Sequence, residues 1–199
     1  MANDHEALKR ELERYAEEKG VPIIRGPERE LLLQAAALAE PLRILEIGTA
    51  IGYSALLMAE RFPAAEIDTV ELDEERHRMA ERVMERAGFA GRVHCHLGDA
   101  GNLISTFSGP YDFLFLDGPK GQYLRELTAI EPLLSDRAVI AADNVLFRGL
   151  VESREPVPHR YRTLVMRLRE YIDYVKEKYE THIYVEGDGL AVSIRKENT

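Results

Sequence analysis

The 199-residue sequence predicts an α/β fold with a mostly parallel sheet of seven strands, helices on both faces and an antiparallel hairpin at one edge. From residue 43 onward, short apolar runs alternate with helical segments, which is the pattern of parallel strands joined by crossover helices. The apolar run RILEIG leads directly into the turn GTAIG and then into a helix. Near the end, two strand-like runs are joined through Gly187-Asp188-Gly189, a typical hairpin signal.

The first 40 residues predict two helices before the sheet begins. Leu8, Leu12 and Tyr15 recur at helical spacing among charged residues, which indicates an amphipathic helix over residues 3–19 that ends at Gly20. The stretch VPIIRGPERE turns the chain, and a Leu- and Ala-rich helix is predicted over residues 28–39, closed by Pro41.

Strands and helices then alternate along the chain. The predicted strands are RILEIG, EIDTVEL, RVHCHLG, YDFLFLD, AVIAAD, THIYVEG and LAVSIRK. The predicted helices lie near residues 53–61, 74–88, 100–107 and 121–134, and a long helix ending near residue 179 follows a loop over residues 145–158. We expect one domain over residues 1–199, with N-terminal helices over 1–40 and a core over 41–199.

Composition narrows the class of protein. The formal net charge of -9 argues against sequence-blind binding of nucleic acid, which depends on neutralising phosphates with Lys and Arg. The single cysteine, Cys95, excludes a framework of intramolecular disulfides, and the polar start MANDHEALKR lacks the apolar core of a secretory signal. No apolar run approaches the ~18 residues that span a bilayer. We therefore expect a cytoplasmic protein without a membrane anchor.

One basic segment stands out in this acidic chain. Residues 148–169 hold six arginines and two glutamates, a local charge of +4. The arginines are Arg148, Arg154, Arg160, Arg162, Arg167 and Arg169. Two interpretations stay open at this point, a solvated surface and a patch that faces phosphate groups.

The turn after the first strand predicts a ligand site. Gly48 and Gly52 allow the backbone to turn tightly and to approach a ligand at the carboxyl end of the strand, where open parallel sheets bind their ligands. The spacing GTAIG differs from the GxGxxG of dinucleotide-binding turns, so a nicotinamide or flavin cofactor is disfavoured.

Acidic residues at the next two strand ends extend this site. Glu71 follows Gly48 by 23 positions and can accept hydrogen bonds from both ribose hydroxyls, and Asp99 can accept one from an adenine amino group. Taken alone, each could instead cap a helix. Glu46 lies inside an apolar strand, so we expect it to contact the amine of the bound ligand or backbone amides.

A second group of polar residues follows the fourth and fifth strands. Asp117 ends DFLFL and Asp143-Asn144 follow AVIAA, so three oxygen ligands converge at the same edge of the sheet. Carboxylate and amide oxygens suit Mg²⁺, Ca²⁺ or Mn²⁺ better than zinc. Lys120 lies within reach as a general base, because a nearby divalent cation disfavours the charged form of a lysine. The competing interpretation of Asp143-Asn144 is an ordinary turn pair.

Several other residues are expected to have packing or surface roles and to take no part in catalysis. His94 and His96 alternate on one strand but have no third metal ligand nearby in the sequence, and Cys95 is expected to be a small buried residue. Tyr161, Tyr171 and Tyr174 are expected to pack on a helix rather than stack on bases.

The motifs EIGTAIGYS, VELD, GDA, FLDGPKGQY, DNVLFRGLV and GDGLAVS occur in the order found in cation-dependent O-methyltransferases, the family of catechol and caffeoyl-CoA methyltransferases, which this chain resembles over nearly its whole length. Through YAEEKGVPI, DNVLFRGLV and GDGLAVS it resembles most the bacterial branch that methylates 5-hydroxyuridine in tRNA. The resemblance implies a Rossmann-like class I fold that binds S-adenosylmethionine (SAM) and a divalent cation.

The resemblance also assigns roles to matching positions. It implies Asp117, Asp143 and Asn144 as metal ligands, Lys120 as the base, and Glu71 and Asp99 as SAM contacts. The complete predicted set of cofactor contacts is Glu46, Gly48, Ser54, Glu71, Asp99, Ala100 and Asp117, and the predicted substrate contacts are Arg25, Arg148 and Arg160. Where relatives have a small residue, this chain has Gly118-Pro119, which puts the position of Lys120 in doubt.

Three hypotheses about function follow. The first is methylation of the wobble 5-hydroxyuridine of tRNA to 5-methoxyuridine, with the arginines of residues 148–169 guiding the anticodon loop. The second is methylation of a small catechol or phenol at the same metal and base. The third, a SAM-binding protein without catalysis, is disfavoured by the intact set of Asp117, Lys120, Asp143 and Asn144. The family is commonly dimeric, so a homodimer is expected.

Overall fold

One seven-stranded sheet forms the centre of the protein in the computed structural model, which describes residues 2–196. The strand order is β3-β2-β1-β4-β5-β7-β6. The strands are β1 (Arg43–Ile47), β2 (Glu66–Glu71), β3 (Val93–Leu97), β4 (Tyr111–Leu116), β5 (Leu134–Ala142), β6 (Tyr179–Tyr184) and β7 (Leu190–Arg195). The first five are parallel, and β7 pairs antiparallel with both β5 and β6. The predicted fold class is confirmed.

Within the described part of the chain, seven α-helices cover the two faces of this sheet. They are α1 (Ala2–Lys19), α2 (Gly26–Leu38), α3 (Tyr53–Arg61), α4 (Glu74–Ala87), α5 (Ala100–Leu103), α6 (Tyr123–Ile130) and α7 (Arg162–Lys178). Helices α1 to α4 pack on one face around Leu12, Leu56 and Phe113, and α5 to α7 pack on the other around Leu114 and Tyr171. Strands covered on both faces are mostly apolar, which explains the nearly continuous apolar runs of β1 and β4, with Glu46 and Asp112 as buried exceptions.

The helix boundaries reflect local chemistry. Asp73 caps α4 by accepting a hydrogen bond from the backbone N of Arg76 (2.8 Å), and Gly88 ends the same helix in the left-handed conformation. Pro27 lies in the first turn of α2, where its missing N–H has no intrahelical partner to lose. Among residues 2–196, no helix combines the length and apolar character that crossing a membrane requires.

Several predicted boundaries differ from the structure. The helix predicted over 100–107 is only α5 followed by a 3₁₀ turn over 104–106, and the one predicted over 121–134 is α6 between two 3₁₀ turns. Gly101 and Asn102 favour helix weakly, and Pro132 cannot continue one. Helix α2 ends at Leu38, before Pro41, and β5 begins four residues earlier than predicted. The edge hairpin forms as expected.

Candidate active site

A cavity of about 500 Å³ opens at the carboxyl ends of the parallel strands. Most predicted site residues lie on its wall: Gly48, Glu71, Asp99, Ala100, Asp117, Lys120 and Asn144. Other parts of the wall come from Pro22, Arg76, Pro119, Gln122 and Glu126. The position agrees with the general rule that open α/β sheets bind ligands beyond the carboxyl ends of their strands.

The turn after β1 is shaped by two glycines in the left-handed region. Gly48 has φ +105°, and a Cβ added there would lie 2.5 Å from the backbone oxygen of Asp117. Gly52 has φ +86° and caps α3. The first glycine therefore lets the loop after β1 pack directly against the loop after β4, which places the predicted cofactor and metal loops side by side.

Glu71 is held at the end of β2 by three backbone amides. One carboxylate oxygen accepts a hydrogen bond from the N–H of Ala50 (2.7 Å), and the other accepts from Leu72 and Asp73 (2.9 Å each). These bonds fix the carboxylate at the cavity wall in one orientation. Oε2 accepts only one of these bonds, so it keeps accepting capacity for a ligand hydroxyl.

Asp99 lies at the other end of the cavity, at the junction of β3 and α5. Its Oδ1 atom is 3.9 Å from the guanidinium of Arg125, an exposed residue of α6. Ala100, the first residue of α5, lies beside it on the cavity wall. The carboxylate of Asp99 is thus available as an acceptor at this end.

Glu46 and Ser54 lie beneath the cavity rather than on its wall. Glu46 is fully buried and accepts hydrogen bonds from the hydroxyls of Ser54 and Thr69. Of the two partners expected for Glu46, backbone amides are wrong, because two hydroxyls take that place, whereas a contact with the ligand amine stays a prediction. Burial raises the pKa of Glu46 to about 7.

Strand register brings Asp117 and Asp143 together. Leu116 of β4 pairs with Ala142 of β5, so the next residue of each strand lies at the same sheet edge. The backbone N–H of Asp143 donates to Leu116 (2.9 Å), and that of Asp117 donates to Ile47 of β1 (2.8 Å). The two carboxylates follow adjacent strands as the sequence predicts.

The turn that follows β5 is strained and braced. Asn144, Phe147 and Arg148 have positive φ values of 55°, 40° and 58° without being glycine. Two hydrogen bonds connect the turn to the edge hairpin. The N–H of Val145 donates to the carbonyl of Gly189 (3.0 Å), and that of Leu146 donates to the carbonyl of Asp188 (2.8 Å). Such conformations persist where surrounding contacts enforce them and occur often at functional sites.

The electrostatics of this pair fit a divalent cation. Burial, reinforced by the charge of Asp143, holds the pKa of Asp117 well above its usual range, and burial raises the pKa of Asp143 to about 6. The charge of Lys120 opposes these increases but does not cancel them, so a divalent cation would add the positive charge that the two desolvated carboxylates still need. Asp117, Asp143 and the Asn144 amide offer hard oxygen ligands. This set has only two carboxylates, and residues 2–196 contain no cluster of three or more His, Cys, Asp or Glu side chains that could hold a metal ion.

Lys120 remains close to the carboxylates despite Gly118-Pro119. Its Nζ atom lies 3.8 Å from Oδ1 of Asp117, and both side chains are only 22% exposed. Pro119 has φ -65° and ψ 107°, an extended conformation that leads into the 3₁₀ turn starting at Lys120. The departure from the family pattern therefore leaves the amine at the cavity wall.

The predicted substrate arginines lie outside the cavity wall. Arg25 instead lines a separate depression with Arg10, Arg14 and Arg29. Arg148 contacts the hydroxyl of Tyr161 (3.4 Å) and Arg160 stacks on the ring of the same tyrosine (4.6 Å).

Two arginines of the basic segment hold the fold instead. Arg169 donates to the carbonyls of Leu150 and Val151, and Arg162 donates to Val157. Only part of the +4 segment is therefore free to meet a ligand.

Most of the other residues have packing or surface positions as expected, but Cys95 is only partly buried. His94 and His96 lie beside Glu66 and Asp68 of the neighbouring strand, and burial raises the pKa of Cys95 to about 12. Tyr171 is fully buried, and Tyr174 donates to the carboxylate of Glu131.

Several residues near the site were missed from the sequence. Glu126 lies on the cavity wall, and the charges of Glu28 and Asp188 act on Asp143. Helical spacing could have placed Glu126 on the face of Tyr123, but the proximity of Glu28 to Asp143 depends on packing between distant segments. No local pattern carries that information.

The sequence comparisons agree on one protein family. The sequence profile of the O-methyltransferase family matches residues 1–196. A Mycobacterium tuberculosis protein assigned as an O-methyltransferase is 33% identical over 184 residues, covering 86% of this chain and 75% of its own. A catechol O-methyltransferase of Niastella koreensis is 33% identical over 149 residues, covering 70% of this chain and 67% of its own.

Comparisons of structure agree with this result. A Staphylococcus aureus structure assigned as a caffeoyl-CoA O-methyltransferase superposes with a TM-score of 0.87 at 28% identity, covering 94% of this chain and 92% of its own. A Podospora anserina methyltransferase solved with S-adenosylhomocysteine (SAH) superposes with a TM-score of 0.78 at 26% identity, covering 88% and 80%.

Proposed function

Because this chain belongs to the family of SAM-dependent O-methyltransferases, we propose that its cavity binds SAM beside a divalent cation and that it methylates a substrate hydroxyl held there. The observation that carries the proposal is the contact between two loops. The turn at Gly48 packs on the backbone of Asp117, so a cofactor on one loop lies next to a cation on the other. SAM supplies the methyl group and leaves as SAH.

The geometry of the wall supports the proposed cofactor roles. Glu71, fixed by three backbone amides, accepts a hydrogen bond from the ribose diol through its remaining acceptor site, and Asp99 accepts one from the adenine amine. Gly48 removes the side chain that would block the approach. Glu46 and Ser54 support the loop from below, where their mutual hydrogen bond holds the start of α3 against β1.

Asp117, Asp143 and Asn144 would hold the cation, with Mg²⁺ as the first candidate and Mn²⁺ or Ca²⁺ as alternatives. The cation would supply Lewis acidity, which lowers the pKa of a coordinated hydroxyl. Lys120 would receive the proton of the substrate hydroxyl on Nζ, a role that its position 3.8 Å from Asp117 supports.

The metal proposal predicts a specific loss of activity. Asp117→Ala and Asp143→Ala should each lower the rate of methyl transfer by more than about 100-fold. This loss exceeds the roughly 10–100-fold loss expected when a residue that only hydrogen-bonds to a metal ligand is changed. The measurement is transfer from labelled SAM with Mg²⁺, with Mn²⁺ and with EDTA. Asp136→Ala is the matched control, because this carboxylate is fully exposed in the first half of β5. Undiminished transfer by both site variants would contradict the mechanism.

The base proposal predicts a loss in kcat. Lys120→Ala should lower kcat by roughly 10²–10⁴-fold, the usual range for a general base, with a smaller effect on SAH binding. Steady-state kinetics across pH 6 to 10 check this result. The plot of kcat against pH for the variant should lack the part of the profile that the titration of Lys120 produces. If kcat changes less than threefold, another group takes the proton.

For the substrate, two classes have separate support. The catechol O-methyltransferase among the relatives favours a small phenol with neighbouring oxygens. The exposed Arg148 and Arg160, which flank Tyr161 on the segment after Asn144, favour the tRNA anticodon loop and its 5-hydroxyuridine. A cation can hold adjacent oxygens of either substrate.

One pair of assays separates these classes. A tRNA enzyme converts 5-hydroxyuridine to 5-methoxyuridine in tRNA, detected by mass spectrometry, and Arg148→Ala or Arg160→Ala reduces the salt slope of tRNA binding by about 1. Arg137→Ala, an exposed residue of β5, serves as the control. A small-phenol enzyme turns over catechol far faster than tRNA and is indifferent to all three substitutions.

Assembly and location complete the proposal. We propose that residues 1–199 act as one catalytic domain, that two copies form a homodimer and that the enzyme works in the cytoplasm. Light scattering of the purified protein tests the dimer, and a mass of one chain would contradict it.

A further inference from the structure

Glu126 is a buried acid that the reaction proposed above does not use. It belongs to α6, is 2% exposed and lies on the wall of the cavity. Its Oε2 atom is buried and has no hydrogen-bond partner among the side chains and backbone of residues 2–196. A buried polar oxygen without a partner is unfavourable, so its retention beside a ligand cavity points to a partner supplied by the ligand.

The neighbours of Glu126 place it at the Asp99 end of the cavity. Of the charged groups, Asp99 acts on it from the β3–α5 junction and Arg125 from its own helix. Tyr123, one turn earlier in α6, also lies within electrostatic reach. Asp99 has an ion-pair partner in Arg125, whereas Glu126 has none of its own. The two carboxyl groups therefore differ in their surroundings although they share one end of the cavity.

We propose that Glu126 is a cofactor-binding residue whose protonated carboxyl donates a hydrogen bond to the ring nitrogen N1 of adenine, while Asp99 accepts one from the adjacent amino group. The inference rests on the proposed function, since it requires the adenosine of SAM at this end. On one edge of adenine, the amino group is a donor and the neighbouring N1 is an acceptor. An acceptor at Asp99 and a donor at Glu126 match that pattern.

The protonation state agrees with this role. Burial, reinforced by the charge of Asp99, raises the pKa of Glu126 to about 7. The carboxyl is then largely protonated below that pH and loses its proton above it. A ligand that needs the protonated form binds about tenfold more weakly for each pH unit above 7.

Calorimetric titration with SAH tests the inference without any turnover. For the unchanged protein, we expect the loss of the Glu126 proton to make SAH binding about tenfold weaker at pH 8 than at pH 6. Glu126→Gln keeps a neutral donor that cannot titrate, so it should bind SAH with a much flatter pH dependence. Glu85→Gln, an exposed glutamate of α4, should retain the pH dependence of the unchanged protein.

A second ligand tests whether the protein recognises the adenine ring. S-inosylhomocysteine carries an oxygen and an N–H where SAH carries an amine and a ring nitrogen, so the unchanged protein should bind it at least tenfold more weakly than SAH. Glu126→Ala should reduce SAH affinity at pH 6 and narrow this preference. Thermal unfolding of the ligand-free variants checks folding, and removal of an unpartnered buried carboxyl should not lower the melting temperature.

The outcomes separate the two proposals. Failure of the unchanged protein to bind SAH overturns the proposed function and this inference with it. Normal SAH binding by a folded Glu126→Ala at pH 6, or an unchanged pH dependence in Glu126→Gln, overturns the inference alone.

Discussion

At the scale of single residues, Gly48 joins the two halves of the proposed active site. Its φ of +105° is one that side chains with a Cβ rarely adopt, and the backbone of Asp117 and Gly118 fills the space that a Cβ would need. The residue therefore serves both the cofactor turn and the loop that carries a metal ligand. A change at Gly48 should affect both.

Gly48→Ala is expected to lower the free energy of unfolding by at least about 2 kcal/mol, because a Cβ 2.5 Å from a backbone oxygen forces the two loops apart. SAH affinity should fall with it. Gly91→Ala is the matched control, since its Cβ meets nothing within 4 Å and its φ is not in the left-handed region. Chemical denaturation and calorimetry give the two readouts, and equal stability of both variants would show that the loops can separate freely.

At the scale of elements, α7 braces the loop that follows the metal ligands. The guanidinium of Arg169 donates to the carbonyls of Leu150 (3.3 Å), Val151 (2.9 Å) and Ser153 (3.2 Å). This loop has no helix or strand of its own, so its backbone groups depend on such side-chain partners. One arginine of the basic segment is thus explained by folding and not by ligand binding.

Arg169→Ala should lower the free energy of unfolding by about 1–2 kcal/mol, because three carbonyls lose a charged donor. Arg167→Ala, on the same helix, removes only an exposed pair with Glu170 and should cost less than about 0.5 kcal/mol. Urea denaturation measures both, and limited proteolysis of the loop should accelerate only in the first. Similar stability losses for the two variants would remove the bracing role.

At the scale of the whole molecule, buried acids link stability to pH and to cation binding. Burial raises the pKa of Glu46 and Glu126 to about 7 and that of Asp143 to about 6, and it raises that of Asp117 as well. The folded state then holds more protons than the unfolded state between about pH 4.5 and 7. Over that window the contribution of these groups to stability falls as pH rises.

The metal-free protein should therefore melt at a higher temperature at pH 5.5 than at pH 7.5 when EDTA is present. Mg²⁺ competes with protons for Asp117 and Asp143, so it should raise the melting temperature more at pH 7.5 than at pH 5.5. Calorimetric scans at both pH values test this, with Asp143→Asn as the variant that loses most of the Mg²⁺ effect. Equal stabilisation at both pH values would argue against a carboxylate site.

The order of elements and the chemistry at the strand ends could be predicted from the sequence alone. Alternating apolar runs and helices specify a parallel sheet, and residues that follow such runs must lie at one edge, which is why Glu71, Asp99, Asp117 and Asn144 share a cavity. Both signals are local, because burial on two faces and the end of a strand are visible in a few consecutive residues.

Only the tertiary structure decided which partners the buried polar groups have. In the structure, Glu46 accepts hydrogen bonds from two hydroxyls, and Arg162 and Arg169 donate to loop carbonyls. One oxygen of Glu126 has no hydrogen-bond partner and lies beside the cavity. These contacts join segments that are distant in the chain or depend on side-chain direction, so their identity follows from packing. Periodicity and spacing describe which face a residue occupies, but they do not describe what lies across from it.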